Sequence, residues 1–194
     1  PVGLNPLAHA GGTADLAVDQ LMAIFRGLYP ELGVRTADVL HMLLRAIAHT
    51  DTPTLCLLPL ALTNRRYLNT LAARATDEFT LTPFFDWYTS LSAAEHAAIS
   101  APVQNKVRPL LREQLRGIVG QLHPRFKISD VFTQHKILLV SLGAGVIGPQ
   151  AADLLGSIVV NEAWFAAQQR AAIPPEARAP VTCFIDEWQT LVHV

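Results

Sequence analysis

The chain has 194 residues, 51% of them hydrophobic and only 16% charged, which is enough apolar material for one substantial core or two small ones and excludes disorder as the main state. Fifteen Lys and Arg against sixteen Asp and Glu leave a net charge of -1, so total charge makes no case for a polyanionic partner and only local patches can. The mean hydropathy of +0.28 is high, yet the longest uncharged run, Ile137 to Ala152, is broken by Gly143, Gly145, Gly148 and Pro149 and falls short of the roughly 18 residues of a bilayer span, which excludes a transmembrane helix.

From Thr13 to about Gly120 the apolar spacing is helical. Thr13 is placed to cap a helix with Asp15 in its first turn, and Leu16, Leu21, Ile24, Phe25 and Leu28 follow at near 3.6-residue spacing until Tyr29-Pro30. Gly33 and Asp51-Thr52-Pro53 bound a second helix with the stripe Val39, Leu40, Leu43, Leu44 and Ile47. A short segment from Leu55 to Leu62 comes next, then one capped by Thr63 or Asn64, then an aromatic one around Phe84, Phe85, Trp87 and Tyr88. Ser92 followed by Glu95 is the spacing of a capping box and opens a longer helix. About six helices with short connections predict an all-helical domain over residues 13–120, preceded by a lead-in of residues 1–12.

Beyond Pro124 the pattern changes. Lys136 to Leu142 is a short apolar, partly β-branched run stopped by Gly143, which reads as a strand buried on both faces. Pro149 to about Ala172 reads as a long helix, and the proline-rich stretch Ile173 to Pro180 leads to Val181-Thr182-Cys183-Phe184-Ile185, a second buried strand. Strand, helix and strand predict a βαβ piece of a parallel sheet within residues 121–194. Two strands do not make a stable sheet, so the remainder is expected from outside the chain, which also starts on Pro1 and stops at Val194 in mid-pattern, as a piece of a longer protein does. Cys56 and Cys183 form no CxxC and lie among apolar residues, the pattern of reduced core cysteines in a cytoplasmic protein.

Three features could carry chemistry. Gly143-Ala144-Gly145-Val146-Ile147-Gly148 matches G-x-G-x-x-G between a strand and a helix, the form of a dinucleotide site, although with Asp186 as its ribose-holding acid the spacing is far beyond the usual about 20 residues. Asp186 and Glu187 end an apolar strand, as do the acids of P-loop ATPases that hold Mg²⁺ through water and polarise the attacking water. No Gly-Lys dipeptide is present, so the phosphate loop such a site needs is not in this chain. Lys106, Arg108, Arg112, Arg116, Arg125 and Lys127 form a basic cluster opposed only by Glu113, and Arg108, Arg112 and Arg116 share one helix face by their i, i+4, i+8 spacing. Such a face is either a solvated surface or a contact for nucleic-acid phosphates. The seven histidines show no H-x-x-x-H spacing and the serines no G-x-S-x-G, so neither a metal site nor a serine nucleophile is indicated.

In order along the chain, Asn5-Pro6-Leu7, Ala101-Pro102-Val103-Gln104-Asn105-Lys106, Lys136 to Leu142, Ala152-Asp153-Leu154-Leu155-Gly156-Ser157 and Phe184-Ile185-Asp186-Glu187-Trp188-Gln189 resemble the motor ATPases of conjugation and type IV secretion, the coupling-protein (TraG/TraD-like) and HerA-like DNA translocases. The resemblance implies a mainly α chain in which an all-helical insert is followed by part of a RecA-like α/β P-loop ATPase domain. It implies Asp186 as the magnesium-associated acid and Glu187 as the catalytic base, with ATP and Mg²⁺ as cofactors of the parent protein and weak or no nucleotide binding by this piece. Lys106, Arg108, Arg112 and Arg116 would then lie in the domain facing DNA or a secreted protein, within a parent that is a cytoplasmic homohexamer at the inner face of the cell membrane. Two other readings are a helical protein-interaction module without nucleotide chemistry and a piece of a Rossmann-type dinucleotide-binding protein.

Overall fold

The structure is a computed structural model that describes residues 3–8 and 12–186, without the side chains of Leu110 and Gln114. Among the described residues, ten α-helices and a few short 3₁₀ turns make it mainly helical, at 66% helix. In chain order they are α1 (Ala14–Leu28), α2 (Val34–Ala48), α3 (Leu58–Thr63), α4 (Arg65–Arg74), α5 (Leu81–Ser90), α6 (Ala93–Val107), α7 (Glu113–Val119), α8 (Ser129–Thr133), α9 (Ala144–Ile147) and α10 (Pro149–Gln169).

The helix starts follow from capping chemistry. The Leu16 N–H donates to the Thr13 hydroxyl, and the Tyr67 N–H donates to the Asn64 side-chain oxygen, so Asn64 rather than Thr63 opens α4. The capping box forms, since Glu95 N–H donates to the Ser92 hydroxyl while Ser92 N–H donates to the Glu95 carboxylate.

One apolar core unites α1 to α6, built on Leu21, Phe25, Leu40, Leu43, Leu44, Ile47, Leu58, Leu62 and Tyr88. Leu154 and Ile158 of α10 enter this same core. A smaller cluster of Leu115, Val119, Ala151 and Leu155 joins α7 to α10. The long helix therefore packs on the helical body on two sides, and it packs closely against α1. Residues 3–8 are tied in as well: Leu4 N–H donates to the Ile118 carbonyl, the Asn5 amide donates to the Pro53 carbonyl at 2.8 Å, and Leu7 is fully buried.

The βαβ expectation is corrected here, because no strand forms among the described residues. The helix between the two runs is present, but 136–142 and 181–185 carry no ladder and do not pair with each other. A strand exists only when its N–H and C=O groups find a neighbouring strand, and two short segments 40 or so residues apart supply too little pairing and too little apolar cover to hold one another. Leu142 packs on the smaller cluster, but several other apolar side chains stand in solvent instead: Ile137 is 88% exposed, Leu139 89% and Phe184 93%.

Candidate functional site

Asp186 lies in a turn at the end of the run 181–185 and is exposed. Glu187, together with Trp188 and Gln189, falls outside the described residues. An exposed carboxylate can take Mg²⁺ through a water, but among the described residues no group of three His, Cys, Asp or Glu side chains could hold a metal. Nor does any Gly-Lys loop stand near it, so the residues present fit only one contact of a magnesium-nucleotide site and none of its phosphate cradle. No reaction step can be routed through ATP on this chain by itself.

The glycine turn differs from a dinucleotide fingerprint. Gly143, at φ 39°, caps the single turn α9, and Gly148, at φ 87°, opens α10 with Pro149 at its first position. Both conformations favour glycine, so these two are held by backbone geometry. Gly145 sits inside α9 with open space where a Cβ would lie. The run before the turn is not a strand, and α9 interrupts the direct passage from run to long helix that a pyrophosphate site uses.

The basic cluster is exposed apart from the half-buried Lys106, but it is not arranged as expected. A common face for Arg108, Arg112 and Arg116 requires one helix through all three, whereas α6 stops at Val107, a 3₁₀ turn covers Arg108–Leu111, and Arg112 leaves the helical region at ψ 145° before α7 starts. Pro109 is the cause: it has no N–H for the Asn105 carbonyl, and its ring would press on that carbonyl in a continuing helix. Arg112 reaches the Ile147 carbonyl at 3.4 Å, and Lys106 lies over the Tyr29 ring at 4.8 Å. Among the described residues no carboxylate pairs with Arg108, Arg112 or Arg116, so their charges remain open to solvent.

Two features had no clear signal in the sequence. Glu162 of α10 borders a cavity of about 100 Å³ lined by Leu4, Asn5, Phe126, Ile128 and Phe165, and burial pushes its carboxyl up to about 7. Its only sequence signal is a single acid in an otherwise uncharged stretch from Leu154 to Gln169. The second is a buried polar cluster in which the Tyr88 and Ser100 hydroxyls meet at 2.8 Å and Ser100 Oγ stands 3.4 Å from His96 Nδ1. Burial, helped by the Arg65 charge, lowers the His96 pKa. A serine next to a histidine invites comparison with a nucleophile and its base, but Ser100 is 1% exposed, and no substrate atom can reach it.

Cys56 is half-buried and Cys183 is exposed in the unpaired run, so neither is the core residue the sequence suggests. No helix among the described residues is long and apolar enough to cross a membrane. No protein-family model, curated protein or solved structure matches this chain.

Proposed function

We propose that this chain is a piece of an ATP-driven motor that moves DNA or protein substrates in conjugation or type IV secretion, with residues 13–120 as an all-helical insert and residues 121–194 returning to a RecA-like ATPase domain. The observation that carries this reading is the exposure of large apolar side chains in two unpaired runs, 136–142 and 181–185, on either side of the 21-residue α10. Side chains such as Ile137, Leu139 and Phe184 are of the type that fills a sheet buried on both faces, and they are costly in water at about 1.5–3 kcal/mol each. Strands supplied by the rest of the parent protein would cover them and would deliver Asp186 and Glu187 to the sheet's carboxyl edge, where open α/β sheets collect ligand groups. In that setting Asp186 is the magnesium-associated acid, Glu187 the base, and the half-buried Lys106 and the exposed Arg108, Arg112 and Arg116 are separate cations in the cargo-facing domain. ATP and Mg²⁺ belong to the parent protein, a homohexamer in the cytoplasm at the inner face of the membrane. The test is the coding sequence ahead of Pro1: a G-x-x-x-x-G-K-[ST] loop there is the expected result, and a parent protein lacking it would end the ATPase assignment.

A second reading, a helical protein-interaction module, draws on a different observation. Leu154 and Ile158 of α10 are buried in the same core as α1 and α2, so residues on both sides of position 120 fold around a common centre. Under that reading no phosphate loop is required anywhere.

A further inference from the structure

The face with regularly spaced cations that the sequence suggests for residues 108–116 occurs elsewhere, on α4. Leu68 and Leu71 bury one side of this helix in the main core, at 1% and 2% exposure, which turns Arg66, Asn69, Thr70, Ala73 and Arg74 outward. Their spacing is i, i+3, i+4, i+7 and i+8, so all five lie on one side of an unbroken helix, and together they line one open surface depression. The helix carries three arginines and no acid. Arg65 is held on the neighbouring carbonyl of Thr89 and adds its charge beside the face. Arg66 has no ion-pair partner among the described residues. Arg74 stands 3.5 Å from Asp51, but both are exposed, and such a pair contributes little and exchanges readily. The Thr70 hydroxyl donates to the Arg66 carbonyl within the helix, which leaves the Asn69 amide as the outward donor between the two cations.

We propose that this outward face of α4 docks the phosphate backbone of duplex DNA without regard to sequence. Charge complementarity chooses the occupant: in a chain whose charges otherwise nearly cancel, the helix contributes no acid to this face, its outward side chains are donors or small, and the one carboxylate at its edge, Asp51, is an exposed partner that a phosphate can displace. Eight residues of helix separate Arg66 from Arg74 by about 12 Å, close to the width of the major groove, so the two guanidinium groups can hold phosphates on either side of it. Ala73 keeps the approach clear. The proposal is independent of the ATPase assignment, since α4 lies within the helical body and outside the 106–127 cluster.

The experiment measures fluorescence anisotropy of a labelled duplex of about 20 base pairs with the full 194-residue chain, from about 50 to 200 mM salt. Arg66→Ala with Arg74→Ala is expected to weaken binding by about tenfold at low salt and to lower the slope of log affinity against log salt by about 1.8, or about 0.9 for each cation removed. Arg66→Lys with Arg74→Lys keeps both charges and is expected to retain the wild-type slope, which separates lost contacts from lost folding. Arg26→Ala with Arg35→Ala removes the same charge from other exposed positions and should leave binding within about twofold. The proposal is overturned if the wild-type chain does not bind, if the α4 double variant matches it, or if the control pair loses as much. Tighter binding to polyglutamate than to duplex would assign the face to an acidic protein instead. Loss confined to the triple variant Arg108→Ala, Arg112→Ala, Arg116→Ala would place the contact at that cluster, against α4 and in favour of the role given to those residues above.

Discussion

Glu162 and His96 give the helical body opposite responses to pH. The Glu162 carboxyl is raised by burial from its ordinary 4.5 to about 7, so the folded chain binds a proton there that the unfolded chain has already lost. This group's contribution is fully present below about pH 4.5 and is lost as pH rises through 7. His96 is lowered by burial, so its contribution is present above the ordinary histidine range and is lost as pH falls below about 6.5. Glu162→Gln removes the first response and leaves the second. Urea unfolding should therefore find the variant more stable than wild type by about 1–3 kcal/mol at pH 8, with the difference shrinking toward pH 5. An equal difference at both values would show that the carboxyl is solvated at neutral pH. Elsewhere charges serve as ties: Arg45 of α2 donates to the Asp15 carboxylate at 2.8 Å and stands 3.1 Å from that of Asp77, joining α1, α2 and the loop before α5. The Arg45 hydrogen bond holds the Asp15 carboxyl below its ordinary value.

At the scale of elements, capping and spacing made the helices legible. Thr13, Ser92 with Glu95, and the stripe from Val39 to Ile47 mark their helices because those signals are local. Pro109 was equally visible, and its effect on the helix overrides the i, i+4, i+8 pattern of Arg108, Arg112 and Arg116. The runs 136–142 and 181–185 show the opposite limit. Their composition is that of buried strands, but strand formation is a property of the pair and not of the segment, so composition cannot reveal whether a neighbour is present. Amide hydrogen exchange follows from this directly. In the 194-residue chain the amides of Leu138, Leu139, Val140, Phe184 and Ile185 should exchange near the unprotected rate, while those of α2 are protected to the level of global unfolding. In the parent protein the same five amides should become protected. Protection of both runs in the chain alone would mean that they pair without outside help.

For the whole molecule, the sequence divides into a helical part and a βαβ part near position 120, whereas the folded chain has one main core that reaches from Leu7 to Ile158. The long-range contacts behind that difference, α10 on α1 and Leu4 on Ile118, join residues far apart in sequence, and no local pattern encodes them. The face of α10 that packs inward was readable as apolar; its partner was not. Similarly, Asp186 was readable as an acid after an apolar run, while its place in an exposed turn rather than at a sheet edge was not. The most direct test of the motor assignment is therefore ATP turnover by the parent protein carrying Glu187→Gln. An acid that acts on the attacking water leaves nucleotide binding nearly intact when neutralised and lowers turnover by at least about 100-fold. That combination is the predicted result, and turnover equal to wild type, or a parent that neither binds nor hydrolyses ATP, would contradict it.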